Sequence, residues 1–422
     1  MNRVKTRSIL AMALLGLFFS NTAAVAESIL IKNARIVSTQ GISETSTDIL
    51  IDGETIAKIG IDLISDEDTR IIDAKDKPVS AGFFNADTQI GVREVSSVKS
   101  TVDASADNSK ITASLRIVDS FNPSSVVIPY NRSMGLTHSL IQPSNGAGLF
   151  AGIASVVNLG MNNSVNVKEA AMVVSLGESG SAMAGGSRSA AMAMLREAIE
   201  DTRDYAKNKS NYNAGNRRDY ALSRHDLEAL IPVVQRRLPL LVNVERAVDI
   251  ERVLAFAKEY RLSLILKGVS EGWRIADKIA DAKVPVIFDP INNLPSSYET
   301  LGTRLDNAKI LSDAGVTIMF TGMGWQNTHN AYLVRQSAGN AVSNGLPYGA
   351  AIAAITTNPA KIFGLPNYGA IEEGKEASLV VWSGDPLEVM SNPRHVLVNG
   401  QEYGLESRST RLRDRYFNKL KK

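Results

Sequence analysis

Residues 78–91 read PVSAGFFNADTQIG, a short apolar run from Val79 to Phe84 that breaks into polar residues at Asn85, Asp87 and Gln89. A buried strand that ends in this way presents carboxylate and amide groups just beyond its C-terminal end. In parallel sheets and barrels that is where reacting groups are held. The chain has no cysteine, so thiolate nucleophiles and thiolate metal sites are excluded. It has only four histidines, His138, His225, His329 and His395, which limits imidazole chemistry to four places. Ser175 follows an apolar run, but no histidine lies near it in sequence to activate a nucleophile.

The elements that must position these groups alternate between strand-like and helix-like segments. Strands are expected at 135–141, 171–176, 238–244, 262–266, 284–288 and 317–320, and helices at 126–134, 190–207, 248–259, 273–280 and 349–355. That alternation implies βα units and a mostly parallel sheet. Short alternating segments flank it on both sides. Residues 28–80, with a hairpin signal at Asp52–Gly53, read as a small antiparallel sheet, and 361–405 have the same texture.

At 422 residues and 44% hydrophobic, the chain has ample material for a large core. Its formal charge of +2 depends on Arg3, Lys5 and Arg7; without them 43 bases face 44 acids. No global charge points to nucleic acid or to a membrane surface. The first 26 residues read as an export leader. A basic start precedes an apolar run from Ile9 to Phe19, and Ala24-Val25-Ala26 forms a cleavage site. Eleven apolar residues are too few for a span of ~30 Å. The expectation is cleavage after Ala26 and an exported, periplasmic protein with no membrane span. The tail from Arg408 carries seven bases and one acid, and reads as a solvated helix.

The run Ala81-Gly82-Phe83-Phe84-Asn85-Ala86-Asp87-Thr88-Gln89-Ile90-Gly91 resembles the strand 1 signature of the amidohydrolase superfamily, in which two histidines bind metal. Gly374-Lys375-Glu376-Ala377-Ser378-Leu379-Val380-Val381-Trp382 resembles the superfamily's C-terminal signature, with Ser378 where an aspartate is usual, and Thr356-Thr357-Asn358-Pro359-Ala360 resembles its barrel-end run. The resemblance covers roughly 28–400 and is nearest the imidazolonepropionase-like branch, whose members hydrolyse cyclic amides and dipeptide-type C–N bonds. It implies a TIM-like (β/α)8 barrel over 81–360, a composite β-sandwich domain from 27–80 and 361–405, and a basic tail over 406–422.

The family's metal ligands do not carry over. The strand 1 histidines fall on Asp87 and Gln89, and strand 4 offers Glu178 in place of a lysine. The strand 5 motif reads Asn243-Val244-Glu245, strand 6 reads Lys267-Gly268, and the strand 8 aspartate falls on or beside Gly322. Asp289 follows strand 7. His329 is the one histidine on the functional face, His138 is a core or pocket residue, and His225 and His395 are surface or structural. Zinc needs three or four nitrogen, sulfur or carboxylate ligands, and an oxygen-only site for calcium or magnesium is opposed by the ammonium of Lys267. No metal cofactor is expected. Lys267 is expected to pair with Asp87 or Glu245 in the volume a metal would take. Two functions follow: a non-catalytic member, in effect a pseudoenzyme, that keeps a pocket for a small molecule and can take an oligomeric or protein partner, or an atypical amide hydrolase using Asp87 or Glu245 with Lys267.

Overall fold

The computed structural model describes residues 28–162, 164–322, 324 and 327–420. The leader expected over 1–26 lies outside the described residues.

The chain opens with β1 (Ile29–Ser38), β2 (Gly41–Ile42), β3 (Thr47–Asp52), β4 (Thr55–Gly60) and β5 (Arg70–Ala81). The barrel strands follow: β6 (Phe83–Thr88), β7 (Leu136–Ile141), β8 (Phe150–Asn158), β9 (Val165–Ser175), β10 (Leu240–Val244), β11 (Leu264–Gly268), β12 (Val286–Phe288) and β13 (Ile318–Phe320). The C-terminal strands are β14 (Leu379–Trp382), β15 (Pro393–Val398) and β16 (Gln401–Tyr403). The two chain ends join in one sheet, ordered β16-β15-β14-β5-β1-β3-β4 with β2 beside β1. The two layers of the expected sandwich are parts of this one sheet, which curls around its own core of Ile29, Ile49, Ile72, Val79, Leu379 and Leu397. It is mixed rather than antiparallel, because β5 returns parallel to β1 after the β3–β4 hairpin.

The second sheet runs β6 to β13 in sequence order and forms a nearly closed, TIM-like barrel. Across its seam Thr321 Oγ1 and Asn327 Nδ2 donate to the Asp87 carbonyl at 3.1 and 2.9 Å. One strand departs from the expected pattern. β8 is antiparallel to both β7 and β9, with no helix on either side. Its sequence, FAGIASVVN, is buried throughout, so it carries no alternation to give its direction.

Helices pack outside the barrel on apolar stripes. In Ala247–Glu259 the buried residues Ile250, Val253, Phe256 and Ala257 recur at helical spacing. Arg188–Asn213 starts at an N-cap, Ser187, that accepts from the Ala190 amide, and buries Ala191, Leu195, Ala198 and Ile199. The barrel interior has its own apolar layer of Phe84, Leu140, Val173, Leu241, Ile265 and Met319. Phe363 and Tyr368 close its floor, with Phe363 stacked on Phe84 at 5.9 Å. Polar chemistry is therefore confined to the ends of the barrel.

Candidate functional site

Strand register builds the mouth. Ser175, Asn243 and Lys267 are direct partners across β9, β10 and β11. Each lies two residues beyond an inner apolar residue, Val173, Leu241 and Ile265, so all three side chains share the barrel-facing side. On β6 the register against β7 slips by one between Asn85 and Thr88, a bulge. Asn85 faces outward, where its Nδ2 donates to the Ala331 carbonyl at 2.8 Å, and Asp87 turns into the barrel. A bulge re-aims a side chain in this way because the extra residue breaks the two-residue alternation.

Lys267 Nζ lies 3.0 Å from Asp87 Oδ2, and donates at 3.1 Å to Gln142 Oε1. Gln142, 2% exposed, anchors back through Nε2 to the Ala86 carbonyl at 2.9 Å. The ion pair is partly wet, with side chains 22% and 18% exposed. Glu245 is held separately. Its Oε2 accepts from the amide and hydroxyl of Ser270 at 3.0 and 2.6 Å. Burial pushes the Glu245 carboxyl up from its ordinary range; the Ser270 bonds oppose that, and nearby Glu299 adds to it. Gly268, at φ +94°, makes the turn after β11, and a Cβ there would sit 2.3 Å from Glu245 Oε1. Of the two partners expected for Lys267, the structure places Asp87 in the pair and gives Glu245 to Ser270.

Asp87, Asn243, Glu245, Lys267, Asp289 and Thr321 line one cavity of about 160 Å³, with Asn292, Arg304 and Asn307 on its rim. That volume suits a small polar molecule; drug-sized pockets run from about 300 Å³. Asn307 is 5% exposed, donates through Nδ2 to the Val269 carbonyl at 3.2 Å, and leaves Oδ1 without a protein partner. A cleft of about 700 Å³ lies between outer helices near Leu262 and Val284, at the start of β11 and β12, and one of about 470 Å³ begins beside Leu176 and Gly177, just past the end of β9.

Other sequence candidates are placed elsewhere. Gln89 lies past the end of β6, its amide bonded to Thr328 Oγ1 at 3.1 Å, and it is not a lining residue. His329 turns away from the cavity, with Nε2 2.8 Å from the Glu94 carbonyl oxygen. Glu178 exchanges bonds with Glu299: Glu178 N to Glu299 Oε2 at 2.7 Å, and Glu299 N to Glu178 Oε1 at 3.1 Å. Ser175 Oγ donates to Asn145 Oδ1 at 2.6 Å. At Gly322 a Cβ would meet Ser337 Oγ at 2.6 Å and the Val334 backbone at 3.2 Å, so Thr321, not residue 322, faces the cavity. His225 is exposed and His395 pairs with Glu402 at 2.7 Å, both remote from the mouth. His138 is buried inside the barrel, stacked on Tyr368 at 3.9 Å.

Sequence reasoning missed Gln142, Ser270, Arg304, Asn307 and Thr321. Gln142 had a signal: it lies two residues after the inward Leu140, directly past the buried strand Leu136–Ile141. Ser270 is placed by a turn and Asn307 is the first residue of the helix Asn307–Asp313, and neither position leaves a periodic trace.

This site at the C-terminal mouth of a barrel, with a sheet domain built from both chain ends, defines an amidohydrolase-type architecture. The amidohydrolase family model matches residues 262–403, which run from β11 through β13 and the returning sheet to β16. It is similar to an amidohydrolase from Thermotoga maritima MSB8, with a TM-score of 0.79 and 25% identity over 89% of this chain and 99% of that one. A prolidase solved with N-methylphosphonate-L-proline shares the fold at a TM-score of 0.55 and 14% identity, covering 89% of this chain and 99% of that one. Amidohydrolase tasK of Hapsidospora irregularis is 22% identical over 388 residues, which is 84% of this chain; the chain spans 39% of that protein's length.

The fold family implies a divalent metal at the mouth, and the residues present do not fit one. An ammonium occupies the centre beside Asp87, Glu245 is bonded to Ser270, and position 322 has no room for a carboxylate. Among the described residues no three His, Cys, Asp or Glu side chains converge as metal ligands would.

Proposed function

We propose that this is a metal-independent, non-catalytic amidohydrolase-family protein whose barrel mouth binds a small polar ligand. The observation that carries the reading is the Asp87–Lys267–Gln142 triad, an ion pair with an amide in the place where the family's architecture gathers metal ligands. A lysine there neutralises Asp87 by charge and hydrogen bond, and holds the mouth together without a cation. The cavity supports a retained binding role, because it is lined by hydrogen-bonding groups. The leader over 1–26 supports export to the periplasm as the setting.

The competing activity is amide hydrolysis by the same residues. The raised carboxyl of Glu245 is the feature that favours it, since a protonated carboxyl can donate to a leaving group. The purified chain is incubated with dipeptides and cyclic amides, with and without added divalent metal. The binding reading predicts no turnover in either condition. Turnover that disappears in Lys267→Ala and Glu245→Gln would overturn it.

A further inference from the structure

The C-terminal helix Arg408–Leu420 buries no residue against the rest of the molecule. Its side chains are partly sorted by type. Leu412, Tyr416 and Leu420 recur at four-residue spacing and form one stripe; the row beside it reads Ser409, Arg413 and Phe417, with Arg413 paired to Asp414 at 2.7 Å. Arg408, Arg411, Arg415 and Lys419 recur at spacings of three, four and four and form a second stripe. A solvated helix has no need of the first stripe, yet Tyr416, Phe417 and Leu420 are 57%, 56% and 86% exposed. Lys419 Nζ lies 5.8 Å from the centre of the Tyr416 ring, at the boundary between the two stripes.

We propose that this helix is an interfacial anchor that lies on an anionic phospholipid surface. Its apolar stripe would enter the headgroup–acyl boundary while the basic stripe meets the lipid phosphates. Charge complementarity selects this occupant: seven bases stand against one acid from Arg408 onward, although the chain as a whole is close to neutral. The pairing of aromatic residues with flanking bases on adjacent stripes is that of helices lying in the membrane plane. An acidic protein groove would reward the bases, but gives no role to the exposed Tyr416 and Leu420. Among the described residues no helix is long and apolar enough to cross a membrane, so attachment is peripheral.

The test is sedimentation of the full chain with vesicles of phosphatidylglycerol mixed with phosphatidylcholine, and with pure phosphatidylcholine vesicles. The proposal predicts binding to the anionic vesicles alone, weakened by added salt. Arg411→Glu/Arg415→Glu/Lys419→Glu should lower the affinity about a hundredfold or more, at roughly a factor of five to ten per charge. Tyr416→Ser/Phe417→Ser/Leu420→Ser should lower it about tenfold. Both variants should keep the wild-type melting temperature, because every substituted side chain is exposed. Absence of binding to anionic vesicles, or equal binding to neutral ones, would overturn the proposal. So would a concentration-dependent oligomer that the apolar variant abolishes, with no vesicle binding by the wild type; a second copy of the chain would then be the occupant.

Discussion

The barrel sets a basic side chain beside a carboxyl at each end, and the two pairings differ in water. At the mouth Lys267 and Asp87 are 22% and 18% exposed, lie 3.0 Å apart, and share Gln142. At the floor His138 is fully buried, with Nε2 3.4 Å from Glu376 Oε1. It lies four residues below Gln142 on the same strand, a drop of roughly 13 Å at strand spacing. Burial pushes His138 down to about 3, so it is neutral at physiological pH and its contact with Glu376 is not an ion pair. Burial likewise raises the Glu376 carboxyl. Glu376 receives the Ser378 hydroxyl, and Ser378 also accepts from the Asn399 amide at 3.0 Å, so the residue that departs from the family signature works as a joint in the sheet. Water reaches the mouth and not the floor, so a lysine at the floor would face the burial that neutralises His138.

The largest effect expected is from restoring an acid at the mouth. Gly322→Asp forces a Cβ against Ser337 and the Val334 backbone, and should lower stability by about 3 kcal/mol or more through overpacking and an unpaired carboxylate. Denaturant unfolding measures this, and no gain in metal binding should accompany it. Lys267→Ala leaves Asp87 and Gln142 without their partner. The partial exposure of the pair reduces the cost below that of a fully buried one, to about 2–3 kcal/mol. An unchanged melting temperature would mean that the pair contributes nothing.

The floor is probed by pH. Because the folded His138 resists protonation to about 3 while the unfolded residue protonates near 6.5, its contribution is intact above pH 6.5 and is lost as pH falls toward 3. The loss should reach roughly 2 kcal/mol by pH 5, at about 1.4 kcal/mol per pH unit. His138→Gln should flatten that part of the stability curve relative to wild type, with Glu376 and Tyr368 unchanged. Equal slopes in the two proteins would put the histidine in contact with water and break the contrast. The smallest effect is expected from Tyr368→Phe. It removes the Oη donor to the Gly82 carbonyl at 2.5 Å, at a cost of about 1 kcal/mol, and should leave ligand binding at the mouth untouched.

Much of this was legible in the sequence, for physical reasons that can be named. The apolar runs of β10 and β11 pointed to the barrel, and the run Leu379–Trp382 to the returning sheet, where Trp382 packs on Phe83 at 5.3 Å and donates to Ser80 Oγ at 2.8 Å. Asp87, Asn243, Glu245 and Lys267 stood out because each is polar at the end of an apolar strand, and the structure brings them together. The antiparallel course of β8 was not legible, since a strand buried on both faces has no pattern to orient it. The choice of Asp87 over Glu245 for Lys267 was also hidden, because it depends on a bulge in β6 and on Ser270 in a turn. The segment from Gly177 to Ser189 reads as a loop from its glycines and serines, yet Gly177–Met183 is helical; the bonds exchanged between Glu178 and Glu299 tie down its first turn and override weak propensity.

Lys267 and Asp87 are proposed to stand in for a metal. Elemental analysis by inductively coupled plasma mass spectrometry, on the full chain after exchange into metal-free buffer, tests this most directly. The account predicts every transition metal far below one equivalent per chain, in the wild type and in Lys267→Ala alike. Close to one equivalent of zinc, manganese or iron in the wild type, reduced in Asp87→Asn or Glu245→Gln, would contradict it.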